Sequence, residues 1–191
     1  RIVREVEESI GGRAEIGAFH FDWRAMRAEV RPFVLHGTEG QGEQPLFEAR
    51  GVQVGLKIVS ALRRDIDISL LRLEQPKIHI VVYPDGTTNL PQPPVARRSS
   101  RNAIERMLDL SIGELSIENG LLELNSRLIP LDLNGAELRA RLFYDARTPS
   151  YAGRVSFQNL LLKSPVTLPV GFGADFSLTV KSGEVAISEA H

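Results

Sequence analysis

The sequence predicts a mostly β protein organised around an extended sheet of many strands. Apolar and polar residues alternate along most of the chain, as at Ile66, Ile68 and Leu70, and this period of two is typical of strands with one apolar face. A second observation is an internal repeat, because residues 68–80 (ISLLRLEQPKIHI) recur as residues 112–124 (IGELSIENGLLEL). The apolar faces could meet in a closed barrel or sandwich, or line an apolar trough in a long curved sheet.

The repeat also predicts where the strands are interrupted. The apolar alternation slips by one residue at Leu70 and Leu71, which predicts a β-bulge. Pro76 cannot donate a ladder hydrogen bond and is expected to break the strand. Its counterpart in the second copy is Gly120, and Asn119-Gly120 predicts the turn of a hairpin. The matched pairs around the break are Glu74 with Glu118, Gln75 with Asn119, and Pro76 with Gly120.

The first half of the chain begins with a short predicted helix. Ile2, Val3, Val6 and Ile10 share one helical face, and Gly11-Gly12 is a stop signal. Further along, Asp85-Gly86 predicts a turn after the second strand of the first repeat copy. The predicted elements are a helix over residues 1–12, antiparallel strands over 13–23 and 25–37, a polar loop over 38–44, a strand over 46–58, a helical turn from Ser60 to Arg64, and the strand pair over 66–86.

A segment rich in proline, serine and arginine separates the two halves. We predict a first unit over residues 1–86 (helix plus sheet), a linker over 87–101, and a second sheet unit over 102–191 that continues the first and is truncated at its C-terminus. Asn102 with Glu105 resembles a capping box that opens a short connecting helix. The later predicted strands are residues 109–118, 121–125, 129–133, 136–144, 151–157, 176–180 and 184–188.

Composition narrows the possible partners. The 191-residue chain has a net charge of −1, which argues against a nucleic-acid partner. It has no cysteine, which excludes a disulfide framework and a thiolate zinc site. No apolar run is long enough to span a bilayer, and no signal peptide is recognisable. The chain begins with Arg1 instead of Met, which indicates a fragment of a longer protein.

The search for chemistry yields no catalytic, metal or cofactor site. The four histidines lack ligand spacing, and His79 is expected on a polar surface. His20 and Asp22 lie two residues apart and could form an acid/base couple, although a solvated sheet face is the favoured interpretation. Trp23, the only tryptophan, is expected to be a packing residue.

Two further stretches have a structural and a functional interpretation. Gly171 and Gly173 flank Phe172 without the strand-to-helix setting of a phosphate loop, so we predict a bend. The basic cluster Arg97, Arg98 and Arg101 is expected to be solvated, with contact to anionic lipid headgroups as the alternative.

The order of these motifs resembles the N-terminal part of the AsmA-like family, the group that includes TamB and YhdP. The similar stretches are residues 14–23 (AEIGAFHFDW), 45–90, 110–125 and 129–145. The most specific part contains Pro76, the Asp85-Gly86 turn and Asn89-Leu90, and the Glu118-Asn119-Gly120 repeat supports it.

The resemblance implies a non-enzymatic protein of the bacterial envelope. Such proteins extend through the periplasm from an inner-membrane helix, which this chain does not include. Their long curved antiparallel sheet forms an apolar β-groove, thought to carry phospholipid acyl chains towards the outer membrane, and outer-membrane assembly proteins are further implied partners. The expected groove-lining residues are Ile66, Ile68, Ile78, Ile80, Ile112, Leu122, Leu124, Leu138 and Leu142.

Two alternatives remain open at this point. The chain could be a β-rich scaffold module that docks a partner in outer-membrane protein assembly by adding a strand at an open sheet edge. It could also be a hydrolase that uses His20 and Asp22. An extended apolar surface favours lipid binding, an exposed strand edge favours docking, and a pocket converging on His20 favours the enzyme.

Overall fold

The prediction of a mostly β fold is confirmed by a computed structural model, in which the strands form one large sheet. The structure describes residues 12–40, 42–60, 65–91, 108–165, 167–182 and 184–190. The predicted helix before Gly12, the turn after Ser60, the basic cluster at residues 97–101 and the capping box at 102–105 lie outside these ranges. The strands are β1 (Ala14–Asp22), β2 (Arg27–Leu35), β3 (Phe47–Ala49), β4 (Gly51–Ser60), β5 (Asp65–Glu74), β6 (Lys77–Val82), β7 (Glu114–Ser126), β8 (Leu131–Asp145), β9 (Ser150–Ser164), β10 (Thr167–Lys181) and β11 (Glu184–Ala190).

The strands lie side by side in the order of the sequence. β3 and β4 share one register against β2. Their pairings with β6 and β5 also share one register, and β5 and β6 share one register against β7. Each of these pairs therefore acts as one long interrupted strand. Neighbours are antiparallel except for β7, which runs parallel to β5 and β6. The predicted antiparallel sheet is thus a mixed one, because the long connection after β6 returns the chain to the end where β5 began.

The internal repeat is the parallel pair itself. Leu71 lies opposite Leu115 and Ile78 lies opposite Leu122, which is the register of the sequence alignment. The predicted hairpin at Asn119-Gly120 is wrong, because β7 runs without a turn from Glu114 to Ser126. Asn119 does adopt a positive φ of 53°, but as an irregularity inside a strand.

A line of irregularities crosses the sheet. At one height, the regular pairing of the strands from β1 to β10 is interrupted by one or two residues, and Gln75, Asn119 and Glu137 adopt φ angles of 47°, 53° and 52° there. From β1 to β9, one residue that breaks the alternation of side chains makes the residues facing one side change parity across the line. β10 keeps its parity and instead shifts its register between Phe172 and Ala174. We call this feature the slip line, and its residues are Gly17, Pro32, Arg50, Gln75, Asn119, Glu137, Gln158 and Gly173.

The parity change keeps the apolar residues on one face of the sheet. On β7 the apolar residues are Leu115 and Ile117 before the slip line and Leu122 and Leu124 after it. Gly135, which is paired with Leu122, lies under the ring of Phe157 so closely that an added Cβ would be 2.6 Å from it. Because Phe157 belongs to β9 on the other side of the slip line, both halves present their apolar residues to the same side.

The predicted bulge near Leu70 is confirmed. The register between β4 and β5 shifts between Gly55 and Leu56, which lie opposite Leu70 and Ile68. Ile68 and Leu71 are consequently on the same face although they are three positions apart. Pro76 interrupts the strand as predicted, and its carbonyl accepts a 2.7 Å hydrogen bond from the Leu121 N–H.

One end of the apolar face is covered by the connection before β7. Leu108 and Ile112 pack onto Leu142, Tyr151 and Val180 and form a buried cluster. The Tyr151 hydroxyl accepts a 2.8 Å hydrogen bond from the Ile112 N–H. We call this the covered end, and the opposite end, near residues 83–91 and 127–130, the open end.

At the margin of the open end, the fully buried side chain of Asn89 bonds to the backbone of β6. Asn89 accepts a 2.9 Å hydrogen bond from the Val81 N–H and donates one of 2.8 Å to the His79 carbonyl. Its own carbonyl accepts a bond from the Thr38 N–H. Thr88 and Asn89 therefore pair with the end of β6, beyond the point where β3 begins.

Two aspartates accept hydrogen bonds from residues of the tight turns in which they lie. The predicted Asp85-Gly86 turn is confirmed by a 2.9 Å bond from the Gly86 N–H to the Tyr83 carbonyl and by a φ of 82° at Gly86. The Asp85 carboxylate accepts hydrogen bonds from the Thr87 hydroxyl and N–H, which lower its pKa. Asp145 makes the corresponding bonds with the Thr148 hydroxyl and a backbone N–H, and its pKa is lowered for the same reason.

Candidate functional site

The candidate site is the apolar face of the sheet, built from rows of cross-strand partners. Directly paired residues point to the same face, so a row of pairs defines what that face presents. One row on the covered side of the slip line contains an apolar residue or glycine from nine successive strands: Phe21, Ala28, Val54, Leu71, Leu115, Leu142, Gly153, Leu178 and Ile187.

Rows on the open side of the slip line are equally apolar. The first runs through Leu35, Phe47, Ile78, Leu122, Gly135, Leu160 and Phe172. The second runs through Ile80, Leu124, Leu133, Leu162 and Val170. The residues of the central strands are half-buried, whereas Val170 and Phe172 near the sheet margin are about half exposed, at 53% and 47%. This end of the face therefore offers apolar surface to a ligand.

The structure brings four of the predicted groove residues into one block. Ile78 pairs with Leu122, and Ile80 pairs with Leu124 on the neighbouring positions of β6 and β7. All four are half-buried and lie on the open side of the slip line. They are the predicted residues best placed to contact a ligand.

The other predicted residues lie elsewhere. Leu138 and Leu142 are on the same face but buried, and Ile68 packs against the cluster at the covered end. Ile112 is not on a strand, because it belongs to the connection that covers the face. Ile66 lies on β5 opposite Ile58, and its side chain is outside the described part of the structure.

Sequence reasoning missed the contribution of β8 and β9 to the open end. Leu133, Leu160 and Leu162 complete the block formed by β6 and β7. The signal was present, because the apolar residues of β8 change from odd positions (Leu131, Leu133) to even ones at Leu138. A parity slip recognised only at Leu70 therefore occurs again in this strand.

The opposite face of the sheet is charged. Its cross-strand ion pairs include Arg31 with Glu74 at 3.0 Å and Arg141 with Glu114 at 3.3 Å. His79 lies on this face, as predicted, but it is half-buried and its Nε2 contacts the Asn125 Oδ1 at 2.8 Å. This face also carries some apolar residues, among them Val81, Leu121 and Phe143, so the two faces differ in their charged residues but not in every position.

The aspartate of the proposed acid/base couple takes part in a backbone turn. The Asp22 Oδ1 accepts bonds from the backbone N–H groups of Arg24 (2.8 Å) and Ala25 (3.1 Å), which lower the pKa of Asp22. His20 is exposed on an edge strand. The Asp22 carboxylate therefore acts as a turn residue in this structure.

Two other sequence interpretations need correction. The predicted bend at Gly171–Gly173 is instead part of β10, with a register shift between Phe172 and Ala174. Trp23, predicted to be a packing residue, is 78% exposed at the turn between β1 and β2.

No protein-family model matches the sequence, and no curated protein matches it. The resemblance to the AsmA-like family therefore stays a prediction.

Within the described ranges, no helix is long and apolar enough to cross a bilayer, and no group of three or more histidine, aspartate or glutamate side chains could hold a metal ion.

Proposed function

We propose that the apolar face binds phospholipid acyl chains, and that the chain is a non-enzymatic segment of a periplasmic lipid-transfer protein in the bacterial envelope. The observation that carries this proposal is the slip line, which keeps apolar residues on one face along the full length of the strands. The inner-membrane anchor and the transfer between inner and outer membranes come from the resemblance to AsmA-like proteins alone.

The energetics favour such a ligand. Transfer of an acyl chain through water exposes methylene groups at about 0.8 kcal/mol each, so a chain of about fifteen costs roughly 12 kcal/mol. A face lined by leucine and isoleucine side chains offsets much of this cost. Because an acyl chain has no polar groups, its binding requires no polar partner from the protein.

The first test is native mass spectrometry of the purified chain together with extraction of bound lipid. We expect phospholipid to co-purify with the parent protein. In the double variant Ile78→Asp with Leu122→Asp, two facing carboxylates on the open end should abolish this binding. Leu121→Asp is the matched control, since Leu121 is the half-buried neighbour of Leu122 on the opposite face, where it pairs with Lys77.

Circular dichroism and denaturant unfolding must first show that all variants are folded. A stably folded parent that takes up no phospholipid when it is supplied would overturn the proposal. Equal loss of lipid in the Leu121→Asp control would also count against it, because that substitution leaves the apolar face unchanged.

The alternative function is docking of a partner in outer-membrane protein assembly by strand addition. β1 and β11 each pair with one strand only among the described residues. Neither strand contains proline or lysine, residues by which natural proteins block sheet edges. A lipid-free, stably folded protein that binds an extended peptide would make this function the better one.

A further inference from the structure

The exposed tryptophan is a surface feature that acyl binding on the sheet face does not explain. Trp23 is the only tryptophan of the chain, and 78% of its surface is exposed. Its ring makes one aromatic contact, edge-to-face with Phe21 at a centroid distance of 4.4 Å. Tryptophan is enriched at membrane interfaces and in binding sites, because its large apolar ring carries one polar N–H.

The turn that carries Trp23 is held in one conformation. The Asp22 carboxylate accepts two backbone N–H groups of the turn, as described above, and Met26 adopts a φ of 48°. The Met26 carbonyl accepts a 2.8 Å bond from the Leu56 N–H, which attaches the turn to β4. Since the turn is already ordered, contact with a partner at Trp23 costs the turn little conformational entropy.

The charges beside Trp23 are complementary to an anionic surface. Arg24 and Arg27 are both exposed on the turn and at the start of β2. Within residues 22–27 the one carboxylate is that of Asp22, whose Oδ1 accepts N–H groups of the turn. It lies directly across from Arg27, on the face opposite Phe21. Two guanidinium groups and one carboxylate leave a net positive charge next to an exposed indole, the combination that favours anionic lipid headgroups.

The turn is also continuous with the apolar face. Phe21 lies in the first row of that face, opposite Ala28, and Phe19 lies in the next row, opposite Val30. Phe19 is itself 49% exposed. An apolar path therefore leads from Trp23 along the edge strand onto the sheet.

We propose that the Trp23 turn docks on the surface of an anionic lipid bilayer. The indole ring inserts at the level of the headgroups, Arg24 and Arg27 contact the lipid phosphates, and Phe21 supports the inserted ring. Docking goes beyond acyl binding and does not require it, but it would place the apolar path beside the acyl chains of the bilayer.

The fluorescence of Trp23 tests the proposal directly, because no other tryptophan contributes. The chain is titrated with vesicles of phosphatidylcholine alone or mixed with phosphatidylglycerol. With the mixed vesicles we expect a blue shift of the emission, quenching by brominated acyl chains, and weakening of binding by salt. The double variant Arg24→Gln with Arg27→Gln should lower the affinity for mixed vesicles by roughly thirtyfold.

Vesicle co-sedimentation of Trp23→Ala provides a measurement that does not use fluorescence. This variant should lose most of the binding, whereas Phe143→Ala, at a half-exposed phenylalanine on β8, should bind like the parent. Unchanged emission with mixed vesicles, or undiminished sedimentation of Trp23→Ala, would overturn the proposal and favour a protein partner at this turn. Acyl binding is measured without vesicles by mass spectrometry, so the two proposals can fail separately.

Discussion

The two ends of the apolar face have similar residues but different surroundings. At the covered end, Leu142 and Tyr151 lie under the segment that contains Leu108 and Ile112, and all four side chains are buried. At the open end, Leu124 and Leu133 are half-buried, and neither belongs to that buried cluster. The difference indicates that the covered end contributes most to stability, while the open end is available for binding.

The largest expected effect is at the centre of the covered end. Tyr151→Ala removes a fully buried ring and the acceptor of the Ile112 N–H, and we expect it to lower the free energy of unfolding by about 4 kcal/mol. Tyr151→Phe keeps the ring and should cost about 1 kcal/mol. Urea denaturation measures both. Equal losses for the two variants would show that the ring does not hold the cover in place.

A matched pair of leucines compares the two ends with the same substitution. Leu142→Ala should lower the free energy of unfolding by about 3 kcal/mol, because the cover leaves a cavity that cannot fill with water. Leu124→Ala should cost only about 1 kcal/mol, because that side chain is already partly hydrated. The same denaturation experiment measures both values. A larger loss for Leu124→Ala would contradict the assignment of the two ends.

The open end should depend on a polar residue at its rim. Asn89→Ala leaves the buried Val81 N–H and His79 carbonyl without their side-chain partners, so we expect a loss of about 2 kcal/mol in unfolding free energy. Hydrogen exchange of the Val81 amide should accelerate in this variant. Asn125→Ala is the control, because the Asn125 side chain bonds to two other side chains, those of His79 and Asp132. Slow exchange of Val81 in Asn89→Ala would refute this role.

The smallest expected effect is the pH dependence of a turn that belongs to neither end's core. The Thr148 hydroxyl and the Arg147 N–H lower the pKa of Asp145 below its ordinary value of 3.8. Because the folded-state pKa is the lower one, this stabilisation is present above pH 3.8 and is lost as the pH falls through the folded-state value. Asp145→Asn should flatten the decline of stability with acidification, as measured by urea unfolding above and below that pH. An unchanged decline would exclude this contribution.

Much of the sheet could be predicted from period-two alternation, because the residues of a strand point alternately to its apolar and its polar face. The repeat even contained the register of the parallel pair, as Leu71 opposite Leu115 shows. The prediction of a hairpin at Asn119-Gly120 was wrong. An asparagine with a positive φ is compatible both with a hairpin turn and with a bulge inside a strand. Only the neighbouring strands, which continue past this point on both sides, select the bulge.

The candidate site was less predictable than the fold. Ile78 and Leu122 were placed correctly on one face, whereas Ile112 resembles them in sequence but packs on the sheet from above. Alternation reports which side of a strand a residue occupies, but it contains no information about what covers that side. The exposure of Trp23 was missed for a related reason, since residue type alone does not reveal that a turn projects beyond the sheet.

The slip line also constrains how a sheet of this kind can grow. A strand gained by duplication keeps its apolar residues on one face if it brings its own irregularity at the height of Gln75 and Asn119. The alternative is a register shift at that height, as in β10. A strand with neither feature would match its neighbour on one side of that height and turn its apolar residues to the charged face on the other. The repeated motif around Glu74 and Glu118 lies at this height. It is therefore the part of the repeat that keeps the apolar residues of two neighbouring strands on the same face.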